Sequence, residues 1–169
     1  HTLLSAPGRT DVDVQLKILQ IVSSLLVTYA NVTSELLSRA LMLCFTLYEH
    51  SRVVVVSSTA AAMLRQNVMV VFEKVQSEDQ SFDAIQNEDA AVNAPLPVGT
   101  AELPSGPVTL FPCAADVYHL LNDLCALADG QPAQFLPLDT LSKPFVLELL
   151  ESVLTTQSPL FQRPPELVY

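Results

Sequence analysis

Asp116, His119 and Asp123 are the residues whose types and spacing come nearest to chemistry. Steps of three and four put them on one helix face. Two carboxylates beside an imidazole would raise its pKa, and the three together could hold a metal ion. The commoner arrangement is a solvated polar face opposite a Leu120/Leu124 stripe. Cys113 and Cys125 each lie six residues from His119, a turn of about 600° on a helix, so they point elsewhere and do not complete a zinc set. Arg65 is the other candidate, a lone charge flanked by apolar turns and followed by Gln66 and Asn67. Arginine is enriched among the residues that anchor protein partners. Its commoner use is a solvent-facing head whose stem covers apolar surface. Arg65, Asp116, His119 and Asp123 are therefore candidates for partner binding. No residue is assigned a catalytic, cofactor-binding or metal-binding role.

Further signals for enzymatic chemistry are absent from the sequence. It contains no G-x-x-x-x-G-K-[ST], G-x-G-x-x-G, G-x-S-x-G or H-E-x-x-H pattern. Four glycines leave little material for a phosphate-cradling loop. No cofactor is expected, and the chain is not read as an enzyme. Cys44, Cys113 and Cys125 show no C-x-x-C spacing and read as buried structural thiols of a reducing compartment.

The 169 residues carry 18 acids and 8 bases, a net charge of −10, and half of them are apolar. That composition supports a packed core and excludes global disorder. The acidic balance argues against nucleic acid, whose phosphates need Lys and Arg. Charge is uneven: residues 1–74 hold five acids and six bases, and residues 75–169 hold thirteen acids and two bases. The second part is a solvated acidic surface or a face for a basic partner. No signal-peptide pattern and no run of about 18 uninterrupted apolar residues is present, so no membrane span is predicted. The opening at His1 and the close at Pro164–Tyr169, which reads as the start of a truncated next element, suggest a piece of a longer chain.

Five helices must position these residues. Thr10 is a plausible cap for the first, and Val14, Ile18, Ile21, Val22, Leu25, Leu26 and Tyr29 form its stripe. The second runs from an Asn31 or Thr33 cap to about Tyr48. Leu36, Leu37, Ala40, Leu41, Leu43, Cys44 and Leu47 cover more than half its circumference, which predicts a helix sandwiched between neighbours. The third covers 53–75, its β-branched start continuing into strong helix formers. Residues 76–108 are acidic and contain proline, and read as a long loop or insertion with at most a helical turn at Phe82 and Ile85. The fourth helix starts at Pro112 and ends at Gly130, with Val117, Leu120, Leu121, Leu124, Leu127 and Ala128 inward. The fifth starts near Leu138 or Ser142 and ends near Thr155, burying Phe145, Val146, Leu149, Leu150, Val153 and Leu154. The expected fold is all-α, a single armadillo/HEAT-like α-solenoid domain of five long helices, with a closed bundle as the alternative.

Several segments resemble one family: Asp13–Gln20, Ser38–Cys44, Ser58–Gln66 running on to Val71–Val75, Asp116–Tyr118 with Asp123–Cys125, and Leu147–Leu154. Their order is similar to the N-terminal DCB (dimerisation and cyclophilin-binding) domain of the large Arf guanine-nucleotide exchange factor superfamily. The T-A-A-A-x-L-R-Q…V-F-E-K-V form is nearest to the Mon-two (monensin-sensitivity) Golgi/endosome trafficking branch. The resemblance covers most of 11–75 and 113–156. It implies an armadillo-like domain of a cytoplasmic protein, peripheral to trans-Golgi and endosome membranes. It further implies a scaffold acting with itself, with neighbouring domains, with an Arf-like GTPase, with a Dopey-type protein and with a phospholipid flippase. In the exchange factors themselves such a domain would regulate a separate catalytic Sec-seven domain.

Overall fold

The computed structural model describes residues 9–29, 31–87, 99–103 and 106–161. Helices α1 (Arg9–Thr28), α2 (Ser34–His50), α3 (Val54–Asn87), α4 (Pro112–Ala128), α5 (Lys143–Thr156) and the one-turn α6 (Ser158–Phe161) form the body. A two-stranded antiparallel hairpin, β1 (Gly99–Leu103) and β2 (Gly106–Leu110), precedes α4. The expected all-α class holds for this body, with the hairpin as its one departure. The sequence also placed 76–108 in a loop. Instead α3 continues to Asn87 and the hairpin occupies 99–110. Residues 88–98 and 164–169 lie outside the described residues.

Helix α3 is central and touches α1, α2, α4 and α5. Helical spacing predicts an inward face of Val56, Ala60, Met63, Leu64, Val68, Val71, Phe72 and Val75, and all of these are buried except Met63, which is partly buried. By length and composition Val54–Glu78 could cross a membrane. That apolar face is already spent in one core, which gathers Leu19, Leu26, Leu41, Phe45, Leu64, Phe72, Leu120, Leu124 and Leu149.

Three helices differ from their expected faces. Helix α5 buries Phe145, Val146, Leu149 and Val153, but Leu154 of its predicted face is exposed. Helix α1 buries Leu19, Val22 and Leu26, whereas Val14, Ile21 and Leu25 from its predicted stripe are exposed. The stripe was wide enough to contain two faces, and α3 covers one. Helix α2 is likewise not sandwiched: Leu37, Leu41, Cys44 and Phe45 are buried, but Leu36 and Leu43 stand 58% and 51% exposed. Of the cysteines, Cys44 and Cys113 are buried as expected, and Cys125 is exposed on α4.

The ends of the helices also depart from the local signals. Helix α1 already includes Arg9, so Thr10 lies inside it. Thr33 occupies the cap position of α2 but its side chain makes no capping bond. Helix α4 does end as its glycine predicts. Gly130 adopts φ +76, the Gly130 amide donates to the Leu127 carbonyl and the Gln131 amide to the Ala126 carbonyl, closing a Schellman motif.

Candidate functional site

The first turn of α2 exposes amide donors that no local side chain satisfies. Asp116, one turn into α4, fills the gap. Both its oxygens accept the Ser34 amide, at 2.8 and 2.9 Å. Ser34 is held at φ +52, left-handed backbone that a serine adopts only under constraint. About two turns further along α4, Asp123 accepts the amides of Gln134 (2.8 Å) and Leu136 (2.5 Å). It thereby shapes the 133–138 loop, whose Leu136 and Leu138 enter the core. At the start of α4 itself, Glu78 accepts the Cys113 and Ala114 amides at 3.2 and 3.3 Å. A carboxylate suits a helix N-terminus because it meets both unpaired N–H groups and the positive end of the dipole.

The predicted trio is therefore not a solvated face. Asp116 and Asp123 are buried and turned toward different backbone segments, and His119 alone faces out. Among the described residues no group of three His, Cys, Asp or Glu side chains is placed to hold a metal ion. His119 stacks on Phe135 at 5.8 Å with the rings 21° apart. Beside this pair opens a cleft of about 410 Å³ lined by Ser34, Glu35, Ser38, Ala115, Asp116, His119, Gln134 and Phe135. Ser38 donates its hydroxyl to the Phe135 carbonyl at 2.6 Å and closes one end.

Burial pushes the Asp116 carboxyl up to about 6, against the lowering effect of the Ser34 amide and Lys74. Between 3.8, its ordinary value, and 6 the folded chain then binds more protons than the unfolded one. The contribution of Asp116 to stability consequently falls as pH rises through that window. Replacing Asp116 by Asn should remove this dependence. We expect the gap in urea-unfolding free energy between the wild type and Asp116→Asn to shift by up to about 3 kcal/mol between pH 3.5 and 6.5, with the wild type losing ground. A gap constant with pH would refute the assignment.

Arg65 sits on the α3 surface. Its Nε and Nη2 donate to the two Glu148 oxygens at 2.6 and 2.8 Å, and its guanidinium lies 5.2 Å from the Phe145 ring centre. Phe145 in turn stacks on Tyr48 at 4.3 Å. The Glu148 hydrogen bond raises the Arg65 pKa and lowers that of Glu148. Both side chains are over a third exposed, so solvent screens the pair and its stability effect is small. Reversing Glu148 to Lys should lower the midpoint of thermal unfolding slightly. Adding Arg65→Glu should restore it; failure of the double exchange to do so would mean the pair contributes nothing.

The two buried thiols offer no nucleophile. Burial raises Cys44 to about 11 and Cys113 to about 12, so both stay protonated near neutral pH. Glu78 was missed in the sequence because a carboxylate capping a helix 35 residues away leaves no local spacing to read.

These links join two stretches that known proteins also distinguish. Residues 2–79 match the model described as Mon2/Sec7/BIG1-like, dimerisation and cyclophilin-binding domain, and residues 113–169 match the Mon2/Sec7/BIG1-like HUS domain. The chain belongs to this Mon2/Sec7/BIG1-like family. "Protein MON2 homolog" of Xenopus laevis is 41% identical over 141 residues, 83% of this chain. The Homo sapiens protein of that name is 39% identical over 141 residues, again 83% of this chain, and the Caenorhabditis briggsae one 35% over 179 residues, 98% of it. The chain spans 8–10% of the length of these relatives. No solved structure matches. The DCB resemblance read at 113–156 thus falls under the HUS match. In the fold the two stretches share one core, and Asp116, Glu78, Arg65 with Glu148, and Gln76 with Gln157 (2.8 Å) all bridge them.

Proposed function

We propose that the chain is a non-catalytic, protein-binding domain of a Golgi–endosome vesicle trafficking protein, peripheral to membranes on the cytoplasmic side. It works by self-association and by contact with neighbouring domains, in an armadillo/HEAT-like array. An Arf-like GTPase and a Dopey-type protein are the partners the family resemblance favours. The observation that carries this reading is the pair of uncovered apolar faces. Ile21 and Leu25 of α1 with Leu36 and Leu43 of α2 are exposed, as are Leu147 and Leu154 of α5. Exposed apolar stripes of this kind mark surfaces that neighbours cover. The buried carboxylates support it too, since Asp116 and Asp123 hold backbone amides and are not aligned on a common reacting centre.

The test is solution mass by light scattering over a concentration series, for this chain and for one extended at both ends. Dimers of similar affinity in both support self-association through these helices. Dimers of the shorter chain alone, or monomers in both, remove self-association from the proposal. A second reading, a regulatory domain for a Sec-seven exchange domain elsewhere in the chain, is favoured by the Mon2/Sec7/BIG1-like matches to both stretches. It predicts that adding the domain changes nucleotide exchange by that catalytic domain.

A further inference from the structure

We propose that the cleft between α2, α4 and the 133–135 turn is a receptor for an arginine side chain of a protein partner. The inference deepens the protein-binding reading by giving one contact its chemistry. Two carboxylates line the cleft, Glu35 at its mouth and Asp116 in its wall, and no Lys or Arg lines it. The Asp116 carboxylate is buried with the Ser34 amide as its hydrogen-bond donor and Lys74 near enough to act on its charge, so a guanidinium in the cleft would share that carboxylate with Lys74 in a region of reduced dielectric. Glu35 is tied to Arg39 across the α2 surface, but that pair is exposed and weakly held. His119 and Phe135 place two stacked rings in the cleft lining, and a planar guanidinium packs against aromatic rings better than an ammonium does. About 410 Å³ is room for one long side chain with water beside it.

The cleft also lies where the DCB and HUS stretches meet: Ser34, Glu35 and Ser38 come from one, and Ala115 to Phe135 from the other. A side chain seated there would touch both and report on their junction.

The experiment is a titration of the isotope-labelled 169-residue chain with the peptide acetyl-Gly-Ser-Arg-Ser-Gly-amide, followed by amide NMR shifts. Matched peptides carrying citrulline or lysine in place of arginine are titrated in parallel. Saturable shifts at Ser34, Ser38, Gln134 and Phe135 are expected with arginine. Citrulline, which keeps the shape and loses the charge, should bind at least tenfold more weakly, and lysine three- to tenfold more weakly. Glu35→Gln and His119→Ala alter exposed side chains, and each should weaken arginine binding three- to tenfold with an unchanged amide spectrum elsewhere. Equal binding of the citrulline peptide, shifts centred on another surface, or no saturable shift would each overturn the proposal. None of these outcomes bears on self-association, which is read as mass.

Discussion

Asp123→Ala should destabilise the fold by about 3–5 kcal/mol, far more than a surface carboxylate would. The Asp123 oxygens accept two amides, Gln134 at 2.8 Å and Leu136 at 2.5 Å, and Asp123 and Leu136 are both buried. Hydrogen bonds to a charged acceptor are worth about 1.5–3 kcal/mol each, and an orphaned buried amide costs about 1–3 kcal/mol. Water reaching the gap recovers part of the loss, which sets the lower bound. Asp123→Asn should fall between the wild type and Asp123→Ala. It keeps one acceptor oxygen and turns an NH₂ donor toward the other amide. The measurement is equilibrium urea unfolding at neutral pH, with hydrogen exchange at Gln134 and Leu136. A loss below 1 kcal/mol for Asp123→Ala would show that the 133–138 loop is held without Asp123, by the burial of Leu136 and Leu138 and by hydrogen bonds such as that from Ser38 to the Phe135 carbonyl. The consequence would extend beyond stability, because Gln134 and Phe135 form part of the cleft wall.

The helices were legible because burial is periodic. Where one helix meets several neighbours, as α3 does, the apolar face read from spacing is the face that is buried. Where apolar residues exceed what neighbours cover, spacing alone cannot choose. Helix α1 has usable faces around Leu19/Val22/Leu26 and around Ile21/Leu25, and contact with α3 decides between them. The excess on α1 and α2 is itself the feature that supports a protein-binding role. Acids were misread for a related reason. Asp116 and Asp123 share a helix face, which suggested solvent, yet each meets backbone from a distant segment. An acidic side chain on a helix carries no local mark of whether water or an unpaired amide faces it. Glu78 shows the same in the 76–108 region, where acidity favoured a loop and the chain instead continues as α3. Arg65 is intermediate: its exposed place on α3 was readable, while its partner Glu148, 83 residues away, was not.

Leu149→Ala should destabilise the DCB stretch as much as the HUS stretch in which it lies. Leu149 is fully buried in α5, and α5 contacts α3 as well as α4. Truncating a leucine in such a site removes its transfer free energy and leaves a cavity, together about 3–4 kcal/mol. If the stretches were separate folding units, α1 and α2 would keep their protection and only α4 and α5 would loosen. The shared core and the reciprocal caps argue otherwise. Glu78 of the first stretch terminates α4 of the second, and Asp116 of the second terminates α2 of the first. Opening one stretch leaves helix-end amides unpaired in the other, and those costs couple the two. Native-state hydrogen exchange should therefore show α2, α3, α4 and α5 losing the same free energy of opening in Leu149→Ala, with a single thermal transition. Two transitions, or unchanged protection in α2, would mean that the family's two named domains fold independently. In the coupled case a contact made on α2 or α4 reaches the other stretch through the same carboxylates, so one partner bound at the junction would stiffen both.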